Sequence, residues 1–300
     1  MRTQSASAIN IELNAVIVAV VGGTPYLLTA TDDSLPSGPF ETGHRTLEQG
    51  LRAWVKLKGK QDLGYVEQLY TFADRDRTAT AGRAVSIGYL ALVHDPAHSL
   101  SAAWSPWYRH FPWEDHRDGV PPMIGKIIMP ALTAWKNAAP DSATKRTRQE
   151  RILVAFPTDP RQWNEELVLQ RYELLWETGL VSESRKKGKN QLGVAMPSDH
   201  RRIVATAMAR LRAKIKYRPV VFELMAAAFT LLQLQNTVEA LAGLRLHKQN
   251  FRRLVEAQGL VEETGTLTHG TSGRPAKLFS FRRKALQERA VAGTKLPRTG

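Results

Sequence analysis

Apolar and polar residues alternate from Ile9, and an unbroken apolar run then extends from Ala15 to Val21 before Gly22–Gly23. This is the pattern of a strand that becomes buried on both faces. A second strand is predicted over Pro25–Ala30, followed by a loop marked by Asp32, Asp33, Ser34, Pro36 and Gly38. From Thr46 to Lys56 the period changes: Leu47, Leu51, Trp54 and Val55 share one face of a helix, and Gly59 is its stop signal. Tyr65–Phe72 and Ala84–Val93 return to strand patterning on either side of the charged segment Asp74–Arg77. Strand, loop, helix, strand, strand is an α+β order.

The middle of the chain is less regular. Five aromatic residues fall between Trp104 and Trp113, interleaved with Pro106 and Pro112. A helix is predicted over Ile124–Asn137, a polar loop or helix start over Asp141–Gln149, and a short apolar strand over Ile152–Phe156. The next helix signal has Asp159 as N-cap, Pro160 in the first position, and Gly179 past the end. Trp163, Leu167, Leu174 and Leu175 form its apolar face. Residues 184–190 read as a basic, glycine-containing loop, and Asp199–Ile215 as an amphipathic helix with Ile203, Ala207, Leu211 and Ile215 on one side. Three further helices are expected over Pro219–Ala228, Leu232–Leu241 and His247–Ala257, the last two ended by Gly243 and Gly259. In the third, Phe251, Leu254 and Val255 point inward. Strands over Leu260–Leu267 and Lys277–Phe281 follow, joined by a turn-rich segment at 269–273. Two short helices with a glycine joint and then a β-hairpin are the order of a winged helix-turn-helix.

Composition narrows the function classes. The absence of cysteine from all 300 residues excludes disulfides, a cysteine nucleophile and thiolate metal sites. The longest apolar run is about a third of the ~20 residues a membrane span needs. A soluble, cytoplasmic protein with no membrane partner is expected. Charge is informative by position: residues 1–200 hold 23 Lys and Arg against 22 Asp and Glu, whereas residues 201–300 hold 19 against 6. Net charges of +1 and +13 place a polyanion partner at the C-terminal third.

The helix at 247–257 suits double-stranded DNA. Its outward residues Lys248, Gln249, Asn250, Arg252 and Arg253 include the side chains that donate to guanine edges and those that pair with adenine. Arg274 and Lys277 beside Gly273 would bring a wing to phosphates or the minor groove. Phe229-Thr230-Leu231, Gln249–Arg253 and Gly273-Arg274-Pro275-Ala276 resemble the C-terminal domain of the NrtR group of Nudix-related transcriptional regulators. Asp199–Ile203 through Arg210–Arg212 to Tyr217-Arg218-Pro219 resembles the linker helix of that group. Glu67–Phe72, Gly82-Arg83 and Ser86–Val93 resemble its Nudix domain. The inserted Trp107-Tyr108 and Phe111–Asp115 are most similar to the NadQ branch, which is associated with control of NAD biosynthesis.

The resemblance implies a degenerate Nudix (α/β/α sandwich) domain over residues 8–215, with an insertion at about 94–191. A winged helix would follow over 216–285, then a flexible tail over 286–300. The Nudix box runs Gly, five residues, Glu, seven residues, then Arg-Glu-apolar-x-Glu-Glu-x-Gly. Gly38, Arg52, Trp54 and Gly59 keep that frame, but its carboxylate positions hold His44, Ala53, Lys56 and Leu57. Magnesium needs hard oxygen ligands, so the resemblance implies a domain without metal and without hydrolysis. It would retain an adenine-nucleotide effector (NAD, ADP-ribose or ATP). Arg52, Lys56, Arg77 and Arg83 are candidates to face its phosphates, and Phe72, Trp107, Tyr108 or Trp113 to stack on the base. Arg52 is equally suited to hold its helix to a neighbouring loop, and the rings to pack the insertion. His44, His110 and His116 lack the grouping of a metal site. A homodimer on paired half-sites is expected. The alternatives are an active Nudix pyrophosphohydrolase using Asp32, Asp33, Glu41 or Glu48 as ligands, and an RNA-binding winged helix.

Overall fold

A computed structural model describes residues 10–59, 63–73, 84–94, 104–186, 188, 190–268 and 275–282. The segment at 286–300, expected to be a flexible tail, and the turn at 269–273 lie outside these residues.

The first strand, β1 (Asn10–Val21), is central in a mixed sheet. It pairs antiparallel with β2 (Thr24–Leu28) and with the short β3 (Ser37–Pro39), and parallel with β5 (Ala84–Leu92). β4 (Tyr65–Phe72) and β6 (Trp104–Pro106) are at the two ends of the order β4-β5-β1-β2-β6. Because side chains alternate across a strand, β1 divides its residues between two cores. Leu13, Ala15, Ile17 and Ala19 face Leu51 and Val55 of helix α1 (Leu47–Gly59). Val16 and Val18 face the opposite way, into the cluster that contains Ile203 and Val204. The sheet is therefore covered on both sides, which is the layering of a Nudix-type α/β/α sandwich.

The insertion is helical. A short helix α2 (Trp107–His110) leads through a tight turn at Pro112–Glu114 to a widened turn at Ile124–Ile128 and helix α3 (Met129–Asn137). Asp141 caps helix α4 (Ser142–Ala155) through the Thr144 amide. The expected strand at Ile152–Phe156 is instead the end of α4 and the residue after it. Five consecutive apolar residues cannot distinguish the two, and here Ile152 and Ala155 bury the helical face. The single helix expected over 159–178 is also interrupted. Asp159 caps only a turn at Pro160–Gln162, and helix α5 begins at Val168 (Val168–Glu177). The break releases the carbonyls of Asn164 and Glu165 to accept hydrogen bonds from two buried arginines, Arg171 and Arg212.

Helix α6 (His200–Lys214) crosses from the sheet to the C-terminal domain. There Pro219–Ala228 is not a full helix but a turn at Val220–Leu224, because Phe229 leaves to bond Phe279 through both its amide and its carbonyl. Helix α7 (Leu231–Ala242) starts with a reciprocal Thr230–Gln233 capping box, and helix α8 (Lys248–Gln258) follows. Gly243 and Gly259 end these helices at φ 71° and 57°, the left-handed conformation that favours glycine. Strands β7 (Val261–Leu267) and β8 (Lys277–Phe281) form the hairpin.

Candidate nucleic-acid interface and its sensor domain

On α8 the apolar anchors are Phe251 and Val255, both buried, which turns Lys248, Gln249, Asn250, Arg252 and Arg253 outward. Leu254, expected to point inward, is 56% exposed: it follows Arg253 around the helix onto the outer face. The joint before α8 is held from α7. Glu239 accepts from the Leu246 amide at 3.0 Å and from Arg245 at 3.1 Å, and Gln235 donates to the Leu246 carbonyl. Lys277 is exposed on the hairpin and pairs with Glu263 at 2.8 Å. Arg274 lies outside the described residues.

The basic excess of the last hundred residues is not all available to a polyanion. On and just after α6, Arg202 pairs with Glu173, Lys214 with Glu67, and Lys216 with Glu165 and Glu166. Arg201 is buried, with Glu183 at 3.2 Å and the carbonyls of His110 and Leu192 at 2.6 and 2.7 Å. Those charges belong to the fold; among the described residues of the last hundred, Lys248, Arg252 and Arg253 on α8 are exposed, as are Arg218, Arg245 and Lys277.

The residues expected to hold an effector are dispersed. Arg52 donates to Glu48 and to the carbonyls of Leu63 and Gly64, so it ties α1 to the loop before β4. Lys56 is exposed on α1. Phe72 is 8% exposed and packs in the core with Arg202 over its ring. Trp107 and Trp113 are fully buried and present no face to a base. Tyr108 donates its hydroxyl to the Ala240 carbonyl at 2.7 Å, which attaches it to α7. Packing accounts for all four rings. Arg77 and Arg83 lie outside the described residues. The frame of the box has structural reasons. A Cβ on Gly38 would sit 2.4 Å from the Trp54 ring, and Trp54 donates to the Pro39 carbonyl. His44 accepts from the Glu41 amide and stacks on Phe40.

Sequence reasoning missed the junction between the insertion and the helix-turn-helix. Glu114 is completely buried. It accepts two hydrogen bonds from Arg171, at 2.6 and 2.8 Å, and one from Arg212 at 2.7 Å. Burial pushes its carboxyl up, but the two guanidiniums together outweigh this and hold it below the usual carboxylate range. Arg212 also donates to the Leu241 carbonyl, and the His116 amide to the Gly243 carbonyl. The last turn of α7 is thus received by residues 108–116. Only the unusual Trp-Glu-Asp within an aromatic run hinted at a buried acid.

Two buried histidines link the stability of the α/β domain to pH. His200 Nδ1 accepts from the Leu35 amide at 3.0 Å, and His110 lies between the Val194 carbonyl and Ser105 Oγ. Burial pushes both below the ordinary histidine value of 6.5, although Asp33 near His110 and Glu12 and Asp32 around His200 act in the opposite direction. The folded protein therefore keeps them neutral, while the unfolded chain takes up their protons below that pH. Their contribution is fully present above about pH 6.5 and is lost as the pH falls from there. Melting temperature should drop between about pH 7 and 5, and His200→Gln should flatten the slope. A melting temperature that rises on acidification would contradict this assignment.

The fold is thus a sandwiched α/β domain of Nudix type whose helical insertion grips a winged helix-turn-helix. Residues 221–292 match the family model of the NrtR DNA-binding winged helix domain. The C-terminal part of the chain is thus similar to that winged helix. Over 90 residues the chain is 40% identical to the ADPR responsive transcriptional repressor NtrR of Acinetobacter baylyi; this covers 30% of the chain and 34% of that protein. The chain thus matches about a third of the length of this relative. Shewanella oneidensis NrtR in complex with a 27mer DNA has a similar fold: TM-score 0.56, 20% identity, 92% of this chain and 95% of that one. A MutT/nudix family protein from Enterococcus faecalis superposes with a TM-score of 0.53 at 14% identity, over 94% and 90% of the two chains.

Proposed function

We propose that this protein is a transcriptional repressor that binds double-stranded operator DNA through α8 and the hairpin and responds to an adenine nucleotide. The observation that carries this reading is the exposed Lys248–Arg253 face on a domain of the NrtR DNA-binding type. ADP-ribose is the first effector to test, because the relative from Acinetobacter is named for its response to it. NAD and ATP are the others, and genes of NAD biosynthesis are the expected targets. The domains are taken as residues 8–215 and 216–285, and the active unit as a cytoplasmic homodimer. The effector acts by favouring one dimer geometry over another, which changes the separation of the two recognition helices.

In this reading the Nudix-like domain binds without hydrolysing. Lys56 and Leu57 stand where paired glutamates would hold magnesium, and Lys56 would repel the cation. Three of the four alternative ligands are otherwise engaged: Asp33 faces Arg109, Glu48 pairs with Arg52, and Asp32 accepts from the Ser34 amide. With magnesium and ADP-ribose or NADH, phosphate-containing products are expected at the level of a protein-free control. EDTA-sensitive release well above that control would establish the hydrolase reading instead. For the repressor reading, gel shifts on promoter DNA should show binding that 216–300 accounts for and that ADP-ribose alters. A truncation ending at Lys216 that still shifted the DNA would refute it.

A further inference from the structure

Residues 184–186 and helices α3, α4 and α5 of the insertion line an open cavity of about 620 Å³ that the DNA-binding reading does not use. Residues Thr144, Thr147, Arg148 and Arg151 line it from α4; their spacing of three, four and seven positions puts them on one helical face. Trp135 of α3 and Trp176 of α5 supply aromatic walls, and Arg185 and Lys186 close the loop side. Four basic side chains thus converge with one carboxylate, Glu177. That carboxylate is already matched by Arg151, which donates to both of its oxygens at 2.9 and 2.5 Å.

The wall is built rather than incidental. Arg148 lies over the Trp135 indole at 4.5 Å from the ring centre and donates to the Trp135 carbonyl, an acceptor left over at the end of α3. The loop is pinned to the end of α5. Gly179 takes φ +77°, where a Cβ would come within 2.3 Å of the Lys186 carbonyl, and the Gly188 amide donates to the Gly179 carbonyl. Ser184, itself buried, donates to the Trp176 carbonyl and accepts from the Lys186 amide. These bonds fix the backbone from which Arg185 and Lys186 project.

We propose that this pocket of the insertion binds a nucleoside phosphate, its base against the Trp135–Arg148 layer and its phosphates toward Arg148 and Lys186. A plain inorganic anion would leave the tryptophan walls unused, and an uncharged aromatic compound would make no use of the Arg148 and Lys186 charges. The volume is within the ~300–1,000 Å³ of small-molecule sites, and guanidinium groups suit both stacking on planar rings and binding phosphate. The proposal rests on the nucleotide-responsive reading only for its choice of probes, and it moves the ligand from the Nudix-like cleft to the insertion.

Calorimetric titration of the full chain with ATP, ADP-ribose, adenosine and sodium pyrophosphate tests it. ATP or ADP-ribose should bind, with adenosine and pyrophosphate each at least tenfold weaker. Arg148→Ala with Lys186→Glu should weaken the nucleotide at least tenfold, and Lys56→Ala on α1 should change it less than twofold. A melting curve verifies that each variant is folded. Lys186→Glu alone, at an exposed side chain, should still lower affinity severalfold. The proposal fails if no probe binds, if pyrophosphate binds as tightly as ATP, or if Lys56→Ala is the damaging change. A gel shift without nucleotide separates this from the repressor reading: the double variant should retain promoter DNA, and loss of the shift would make the patch a DNA contact and overturn the proposal.

Discussion

Replacing Glu114 by Gln is expected to destabilise the protein by about 3–5 kcal/mol, the usual cost of removing one partner from a buried ion pair. The reason is local charge. Glu114, Arg171 and Arg212 are all completely buried, so the substitution leaves two neighbouring guanidiniums without their shared counter-ion. Their remaining acceptors are neutral carbonyls, including those of Asn164, Glu165 and Leu241. Chemical denaturation at pH 7 measures the loss. Adding Arg171→Met to Glu114→Gln should recover part of it, since removing a buried cation along with its anion relieves the desolvation cost. A stable Glu114→Gln protein would mean that water reaches the triad. Because Arg212 also receives the end of α7, the variant should loosen the winged helix from the insertion as well, seen as faster amide exchange at Leu241–Gly243.

The second large effect belongs to α8. Changing Gln249, Asn250, Arg252 and Arg253 together to Ala should abolish operator binding while the protein remains folded, because all four are exposed. Singly, a side chain that reads a base should cost about 1–3 kcal/mol on the cognate site and relax specificity at one base pair. One that meets a phosphate should weaken every duplex alike and reduce the log–log salt slope by about 0.9. Phe251→Ala gives a different signature. Its ring is buried beneath the same helix, so a fall of about 3–5 kcal/mol in stability is expected whether or not DNA is present. Binding of cognate and scrambled duplexes, measured beside melting temperature, separates the three roles. Unchanged binding by the fourfold variant would remove α8 from the groove.

The sheet domain and the helix-turn-helix meet through α6 and residues 108–116. Tyr108, Arg212 and the His116 amide each take one of the carbonyls at Ala240, Leu241 and Gly243. A rearrangement of the insertion would reach the first helix of the helix-turn-helix through these bonds, without passing through solvent.

Hydrophobic patterning by itself determined four strands of the main sheet, β1, β2, β4 and β5, and the two hairpin strands near their observed bounds, because alternating or continuous apolar runs of this length mark extended chain. It also determined α1, α7 and α8, the glycine ends of the last two, and, apart from Leu254, which face of α8 is outward. Local chemistry suffices for these features: a cap, a left-handed glycine, or an apolar stripe within a single helix. Tertiary structure alone decided the rest. It broke the 159–178 helix, extended α4 through an apparent strand, and buried the aromatic run as core. It also made Arg201 and Arg212 of α6 internal partners. Arg171 and Arg212 meet Glu114 across 57 and 98 residues of sequence. No periodicity within one segment reports such pairings, since a charge is stable in the interior only when a partner arrives from elsewhere in the chain.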